Sequence, residues 1–278
     1  MERSVDEKEY KKLLLEELIY FDDFCTKNDI SYFLFYGSLL GAVRHNGFIP
    51  WDDDIDVVVP RKDYNKLVKI FNDSSNRYKL VSIHNNEEFT APLAKIVDSK
   101  TRLIQKYRFK ESIDLGVYID VFILDGLPND DKMRKQCMKK AKDLTQRWSI
   151  SNSKLRSGEH SLFYDLAHYM YRLPIILRGC KHYLHAIDTF ASRYDFYESE
   201  YVSNLSFTVI DFEYRREDFV PIRKDFEGHN FVIPKGYDRL LKTRYGDWQS
   251  LPEKKYQVSH HDFECYYLED EEGKVQEQ

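Results

Sequence analysis

A chain of 278 residues with 42% hydrophobic content can build one large domain, or a catalytic core carrying a helical appendage. Its 42 Lys and Arg against 47 Asp and Glu leave a net charge of −5, which argues against a broad nucleic-acid-binding surface but leaves room for a basic pocket holding one nucleotide. Four scattered cysteines (Cys25, Cys137, Cys180, Cys265), a polar Met1–Tyr10 and the lack of a long apolar run read as a cytosolic protein with reduced thiols, without signal peptide or membrane span.

Residues 6–27 carry Leu14, Leu18, Phe21 and Cys25 at helical spacing and predict a packing helix. Tyr32–Tyr36 has strand length and ends at Gly37-Ser38. A short helix over 39–45 follows, with Ser38 as its N-cap. Gly47 and Pro50 mark a loop, Asp54–Val59 predicts a second strand stopped by Pro60, and residues 61–73 return to helical spacing. Residues 78–84 and 92–98 are further strand candidates. Val117–Leu124 is a stronger one, bounded by Gly126 and Pro128. Beyond it, 130–148 and 160–197 read as helical, separated by a polar loop at 149–159 and broken at Pro174. Short strands and turns fill 200–234, and a tail follows from Lys235. The implied fold class is α/β (or α+β), with this division: a core with its N-terminal helix over 1–129, a helical insertion over 130–200 that is a candidate acceptor-binding part, a segment 201–268 completing the core, and a disordered tail over 269–278.

The chemistry concentrates in Gly37 to Asp56. Asp54 and Asp56 are two apart on a predicted strand, so alternation sets both carboxylates on one face. Side by side they repel, and Mg²⁺ (or Mn²⁺) held by one or two carboxylates plus substrate phosphates removes that cost. Asp52 shares their parity, whereas Asp53 points away if the strand already starts there. At the other end, Gly37 permits close backbone approach and Ser38 caps a helix or donates to phosphate. Asp120, alone in Tyr118-Ile119-Asp120-Val121-Phe122, is the candidate third acid, as metal ligand or as base toward an acceptor hydroxyl. Asp125, before Gly126, reads as a turn residue. Arg44, Lys95 and, more weakly, Arg102 are candidates to balance phosphate charge, with surface pairing the commoner fate of Arg102. His260-His261 forms no metal motif. An acidic run such as DDDID is ordinarily a solvated loop; its combination with a Gly-Ser turn and a lone strand acid is what makes it specific.

The run Gly37-Ser38-Leu39-Leu40-Gly41-Ala42-Val43-Arg44-His45, continued by Phe48-Ile49-Pro50-Trp51-Asp52-Asp53-Asp54-Ile55-Asp56, resembles the signature of the LicD family. Ile119–Pro128 and Tyr245-Gly246-Asp247-Trp248 with Leu251-Pro252 resemble that family too, while about 130–200 carries no motif of it. The resemblance implies a nucleotidyltransferase-like fold with a mixed sheet. It also implies transfer of a phosphorylated alcohol from a CDP-activated donor to a glycan hydroxyl. LicD proteins are linked to phosphocholine on teichoic acid, capsule or lipopolysaccharide, and fukutin and fukutin-related protein share the domain and transfer ribitol phosphate. By resemblance Asp54, Asp56 and Asp120 carry over as the metal and catalytic acids. Gly37, Ser38, Arg44 and Trp51 match the motif as substrate-binding positions, and Lys95 joins them as a candidate from its own sequence context.

The expected reaction is release of CMP from CDP-choline, or from CDP-ribitol or CDP-glycerol, onto a glycan acceptor that is lipid-linked. The choline ammonium would rest on an aromatic face, for which Tyr36, Trp51 and Trp248 are candidates. Residues 163–184, mixing apolar side chains with Arg172, Arg178 and Lys181, are a candidate contact with the inner face of the plasma membrane, though a buried helix pair explains the same pattern. Two rivals remain: transfer of NMP from an NTP, releasing pyrophosphate, and a catalytically inert module that binds glycan or nucleotide.

Overall fold

Helix α1 (Glu7–Lys27) starts where the Asp6 side chain accepts from the Glu9 N–H at 2.8 Å, and it buries Leu13, Leu14, Leu18, Phe21 and Cys25. The computed structural model describes residues 2–75, 77–105, 113, 115–153, 170, 172–207, 212–258 and 263–268. The expected tail at 269–278, His260-His261 and the expected helical residues 160–169 lie outside them.

The central sheet is built on β2 (Phe33–Leu34), β3 (Asp56–Pro60), β4 (Tyr78–Val81), β5 (Ala94–Asp98) and β7 (Tyr118–Leu127), in the order β2-β3-β7-β5-β4. Strand β7 is interior and is buried along nearly its whole length, as its continuous apolar run requires. It runs parallel to β3, with Asp56 opposite Asp120, and antiparallel to β5, with Lys95 opposite Asp120. The sheet is therefore mixed. Strands β8 (Tyr201–Ser203) and β9 (Tyr214–Arg215) extend it from the far end of β7.

Three departures from the sequence reading bear on the site. Helix α2 spans Tyr36–Arg44, so Gly37-Ser38 lies inside it rather than on a turn before it, and Ser38 is not the N-cap; Phe35 holds that place. Strand β3 begins at Asp56, leaving Asp54 in the approach to the strand. Strand β7 continues through Gly126 to Leu127, so Asp125 is no turn residue. It is fully buried, paired with Arg61 of α3 (Arg61–Ile70) through Nε–Oδ1 at 2.7 Å and Nη2–Oδ2 at 3.2 Å.

Elsewhere, α4 (Asp131–Asn152) runs into the stretch expected to be a loop, and it packs on α5 (Cys180–Ala191) around Leu144, Trp148, Tyr183 and Leu184. The chain stays helical through Pro174 (residues 172–178) and breaks at Gly179 instead, whose φ of 76° is the left-handed conformation glycine permits. Turns, not helix, occupy 192–199. The region after Lys235 is ordered as well, with helix α6 (Tyr237–Tyr245) and strand β12 (Phe263–Leu268). Strand β12 lies between β1 (Glu2–Ser4) and β6 (Thr101–Gln105) in a second sheet. A hairpin of β10 (Pro221–Phe226) and β11 (His229–Pro234) reaches the loop before the acids: Glu227 N–H donates to the Asn46 carbonyl at 2.9 Å, and Phe48 N–H donates to Glu227 Oε1 at 3.0 Å.

Candidate active site

The acids collect where α2, β3 and β7 meet. Phe35 N–H donates to the Asp56 carbonyl at 3.0 Å, which brings the start of α2 beside the start of β3. Asp56 N–H donates to Ser38 Oγ at 2.8 Å in a buried bond. Ser38 thus fastens helix to strand. Gly37 is required by proximity: a Cβ there would overlap a carboxylate oxygen of Asp52. The preceding Tyr36 holds φ at 47°, an uncommon value for a residue with a side chain, and its hydroxyl accepts from Asn204 Nδ2 at 3.2 Å.

Asp56 is buried, and burial pushes its carboxyl pKa well above the ordinary range. The carboxylates of Asp54, Asp120 and Asp52 push it the same way, against Lys95 alone among the named influences. Lys95 Nζ meets Asp120 Oδ1 at 2.5 Å and lies 3.3 Å from the centre of the Tyr118 ring. Asp52, Asp53 and Asp54 bring carboxylate oxygens to within 4.8 Å of one another. Asp53 is buried among them rather than turned away, because the strand has not yet begun there. The expected pair Asp54 and Asp56 is close enough to interact electrostatically, as are Asp56 and Asp120 on neighbouring strands.

This donor set suits a divalent cation. Several carboxylates against one lysine leave an excess of negative charge in a partly dry place, and hard oxygen ligands are what Mg²⁺ or Mn²⁺ takes. A cleft of about 530 Å³ opens beside Asp52 and Asp53, with Trp51 and Tyr10 on its walls and Phe263 to Tyr266 of β12 facing them. Burial raises the Tyr10 pKa well above the ordinary phenol, with Tyr118, Asp53 and Asp54 adding to it.

The remaining candidates are placed less centrally. Arg44 Nη1 donates to the carbonyls of Trp248 at 2.9 Å and Ser250 at 3.2 Å, so it ties down the segment after α6. Arg102 pairs with Glu2 at 3.0 Å on the second sheet. Of the three aromatic candidates, Trp248 is buried with its indole N–H on Asp238, and Tyr36 already carries the Arg244 guanidinium 4.2 Å from its ring centre. Trp51 is the one on the cleft. Sequence reasoning missed Arg244 and Tyr245. Burial raises the Tyr245 pKa, Arg244 lowers it, and Asp56 and Asp52 raise it further, so this end of α6 lies within electrostatic reach of the acids. The tyrosine did stand in a motif already noted, but nothing local ties that motif to residues near 52–56.

Comparison with known proteins identifies the family. Residues 29–161 match the nucleotidyltransferase domain described as LicD/FKTN/FKRP. The chain is 30% identical over 276 residues to the lipopolysaccharide cholinephosphotransferase LicD of Haemophilus influenzae, covering 94% of this chain and 98% of that protein. A shorter stretch of 45 residues is 51% identical to an uncharacterized protein of Rickettsia prowazekii, covering 16% of this chain and 17% of that one. The chain belongs to the LicD family and is a phosphotransferase.

Proposed function

We propose that the chain transfers phosphocholine from CDP-choline to a hydroxyl of a cell-surface glycan and releases CMP. The crowding of Asp52, Asp54 and Asp120 around buried Asp56, with Lys95 paired to Asp120, carries the reading. The name of the Haemophilus influenzae relative supplies the choline and the lipopolysaccharide. Asp54 and Asp56 would hold Mg²⁺ or Mn²⁺, beside Asp52. Such a cation, when bound, neutralises charge on the phosphoryl group and on the departing CMP.

The acceptor hydroxyl oxygen bonds to the phosphorus that carries choline, and the bond from that phosphorus to the CMP oxygen breaks. Asp120 takes the hydroxyl proton at Oδ2, while Lys95 holds Oδ1. A ligand role for Asp120 is the second reading, favoured by its register with Asp56. Ser38 and Gly37 set the acids in place from below, and Trp51 offers the ammonium a face on the cleft. Ribitol or glycerol phosphate from the matching CDP donor is the nearest alternative, and NMP transfer from an NTP is the more distant one. We place the protein in the cytoplasm at the inner face of the membrane. No helix among the described residues is long and apolar enough to cross it, and Leu177 stands exposed beside Arg178 and Lys181 as a peripheral contact.

The test measures CMP release from CDP-choline, CDP-ribitol and CDP-glycerol with glycan acceptor, with Mg²⁺ or with EDTA. We expect metal-dependent CMP from CDP-choline and its loss, by at least a hundredfold, in Asp54→Ala with the thermal midpoint kept. Full turnover in that variant, or pyrophosphate from NTPs in place of CMP, overturns the reading.

A further inference from the structure

The acid cluster accounts for a cation but leaves the anionic donor without a described positive partner of its own. Lys95, the cation beside the acids, is engaged with Asp120. Arg44 is turned to main-chain carbonyls at Trp248 and Ser250. A diphosphate brought against several carboxylates needs a further cation, even after a divalent metal is counted.

Arg244 is placed to meet that need. It stands at the end of α6, and its guanidinium lies over the ring of Tyr36, the first residue of α2. Tyr36 leads directly into Gly37, against which the Asp52 carboxylate rests. The Tyr245 side chain interacts both with Arg244 and with Asp52 and Asp56. Arg244 thus sits on Tyr36, which leads into the glycine against which Asp52 rests, and beside Tyr245, which Asp52 and Asp56 influence electrostatically. Burial disfavours its charge, whereas Tyr245, Tyr36 and Tyr214 favour it. A half-buried guanidinium stacked on an aromatic face keeps its planar fork pre-organised, which is the geometry that recognises phosphate oxygens in pairs.

We propose that Arg244, held on Tyr36 and flanked by Tyr245, forms a phosphate subsite that takes the non-bridging oxygens of the donor's diphosphate. This rests on the CDP-donor reading above and adds the residue that binds the diphosphate. It also gives the Tyr245-Gly246-Asp247-Trp248 stretch a task at the site, since the same turn anchors Arg44 through the Trp248 carbonyl.

The experiment is calorimetric titration of wild type, Arg244→Lys and Arg244→Gln with CDP-choline, CMP, cytidine and inorganic pyrophosphate, all with Mg²⁺, alongside thermal midpoints. We expect Arg244→Gln to weaken CDP-choline and pyrophosphate roughly ten- to hundredfold, with a smaller loss for CMP and none for cytidine. Arg244→Lys recovers part of the loss. The KM for donor rises more than kcat falls. A purely structural arginine would instead lower the midpoint and weaken every ligand alike. Equal binding of CDP-choline by wild type and Arg244→Gln overturns the subsite and leaves the donor reading standing. Arg244-dependent pyrophosphate binding with no binding of cytidine nucleotides supports the subsite and sinks the donor reading. Wild type binding none of these ligands overturns both.

Discussion

Replacing Ser38 by Ala removes the acceptor of the buried Asp56 N–H and leaves that donor unsatisfied. The expected cost is about 1–3 kcal/mol of stability. Because the lost bond positions the strand that carries Asp56, activity should fall further than stability alone explains. Comparing kcat with the urea midpoint of Ser38→Ala checks this, and unchanged kcat in a destabilised protein would assign Ser38 to packing only. The acids themselves were legible from sequence for a simple reason. A carboxylate in an apolar strand is costly, and Asp120 is surrounded by such a strand. The partner of Ser38 was not legible, because hydroxyl side chains near a helix start ordinarily bond locally, whereas this one bonds 18 residues away. Arg244 stayed hidden for the same kind of reason: nothing in a basic residue near the end of a short helix announces that it stacks on Tyr36.

At the scale of elements, α3, β7 and α5 are tied by one arginine. Arg61 pairs with Asp125 of β7 and, at 2.5 Å, with Asp188 of α5. Burial alone would raise the Asp188 pKa, but the hydrogen bond from His84 and the charge of Arg61 outweigh it and bring it to about 2. A folded-state pKa below the unfolded one contributes stability that is fully present above about pH 4. That contribution is lost as pH falls toward 2. Asp125 has the opposite sign, since burial lifts it to about 6 against the pull of Arg61. Its penalty is full above about pH 6 and fades as pH falls to about 4, below which Asp125 is protonated in both states and adds no slope. The urea midpoint should therefore fall between pH 4 and pH 2, and Asp188→Asn should flatten that limb. An equal slope in the variant would remove Asp188 from the account. Elements rich in local periodicity, such as α1 and α3, were readable in the sequence. The break at Gly179 was not, because proline is the stronger helix breaker by residue type and drew the expectation to Pro174.

Charge is unevenly distributed over the whole molecule. Between Asp131 and Ser192 there are twelve Lys and Arg against five Asp and Glu, in a chain whose net charge is −5. On α4, Lys132, Lys135, Lys139 and Lys142 recur at helical spacing and are all exposed. An acidic protein whose helical part is basic should meet an anionic surface in one orientation. We expect co-sedimentation with vesicles containing phosphatidylglycerol at low salt, falling steeply by 0.3 M salt, and little with neutral vesicles. Exchanging the four lysines for Glu should abolish it. Retention of binding in that variant would remove α4 from the contact and leave it to Leu177, Arg178 and Lys181. The mixed central sheet was anticipated in outline. The second sheet was not, because its middle strand β12 fell in the stretch read as a tail and its outer strand β1 was read as a charged terminus.

That second sheet pairs Glu2 with Leu268, and its middle strand β12 walls the cleft beside Asp52 and Asp53. Closing so long a loop is slow compared with the local pairings of α2 and β3. Among the described residues the wall shares no ladder with the central sheet; the short connection from β5 to β6 and a bridge between Leu103 and Leu115 join it to the rest. The apolar side chains of Val5, Leu103 and Cys265 nevertheless lie in the same core cluster as Val57, Ile119 and Val121, so the wall is packed onto the central sheet. A substrate that touches both the acids and β12 therefore leans on a wall held by the main core, so a core substitution that loosens Leu103 or Cys265 should loosen the cleft as well.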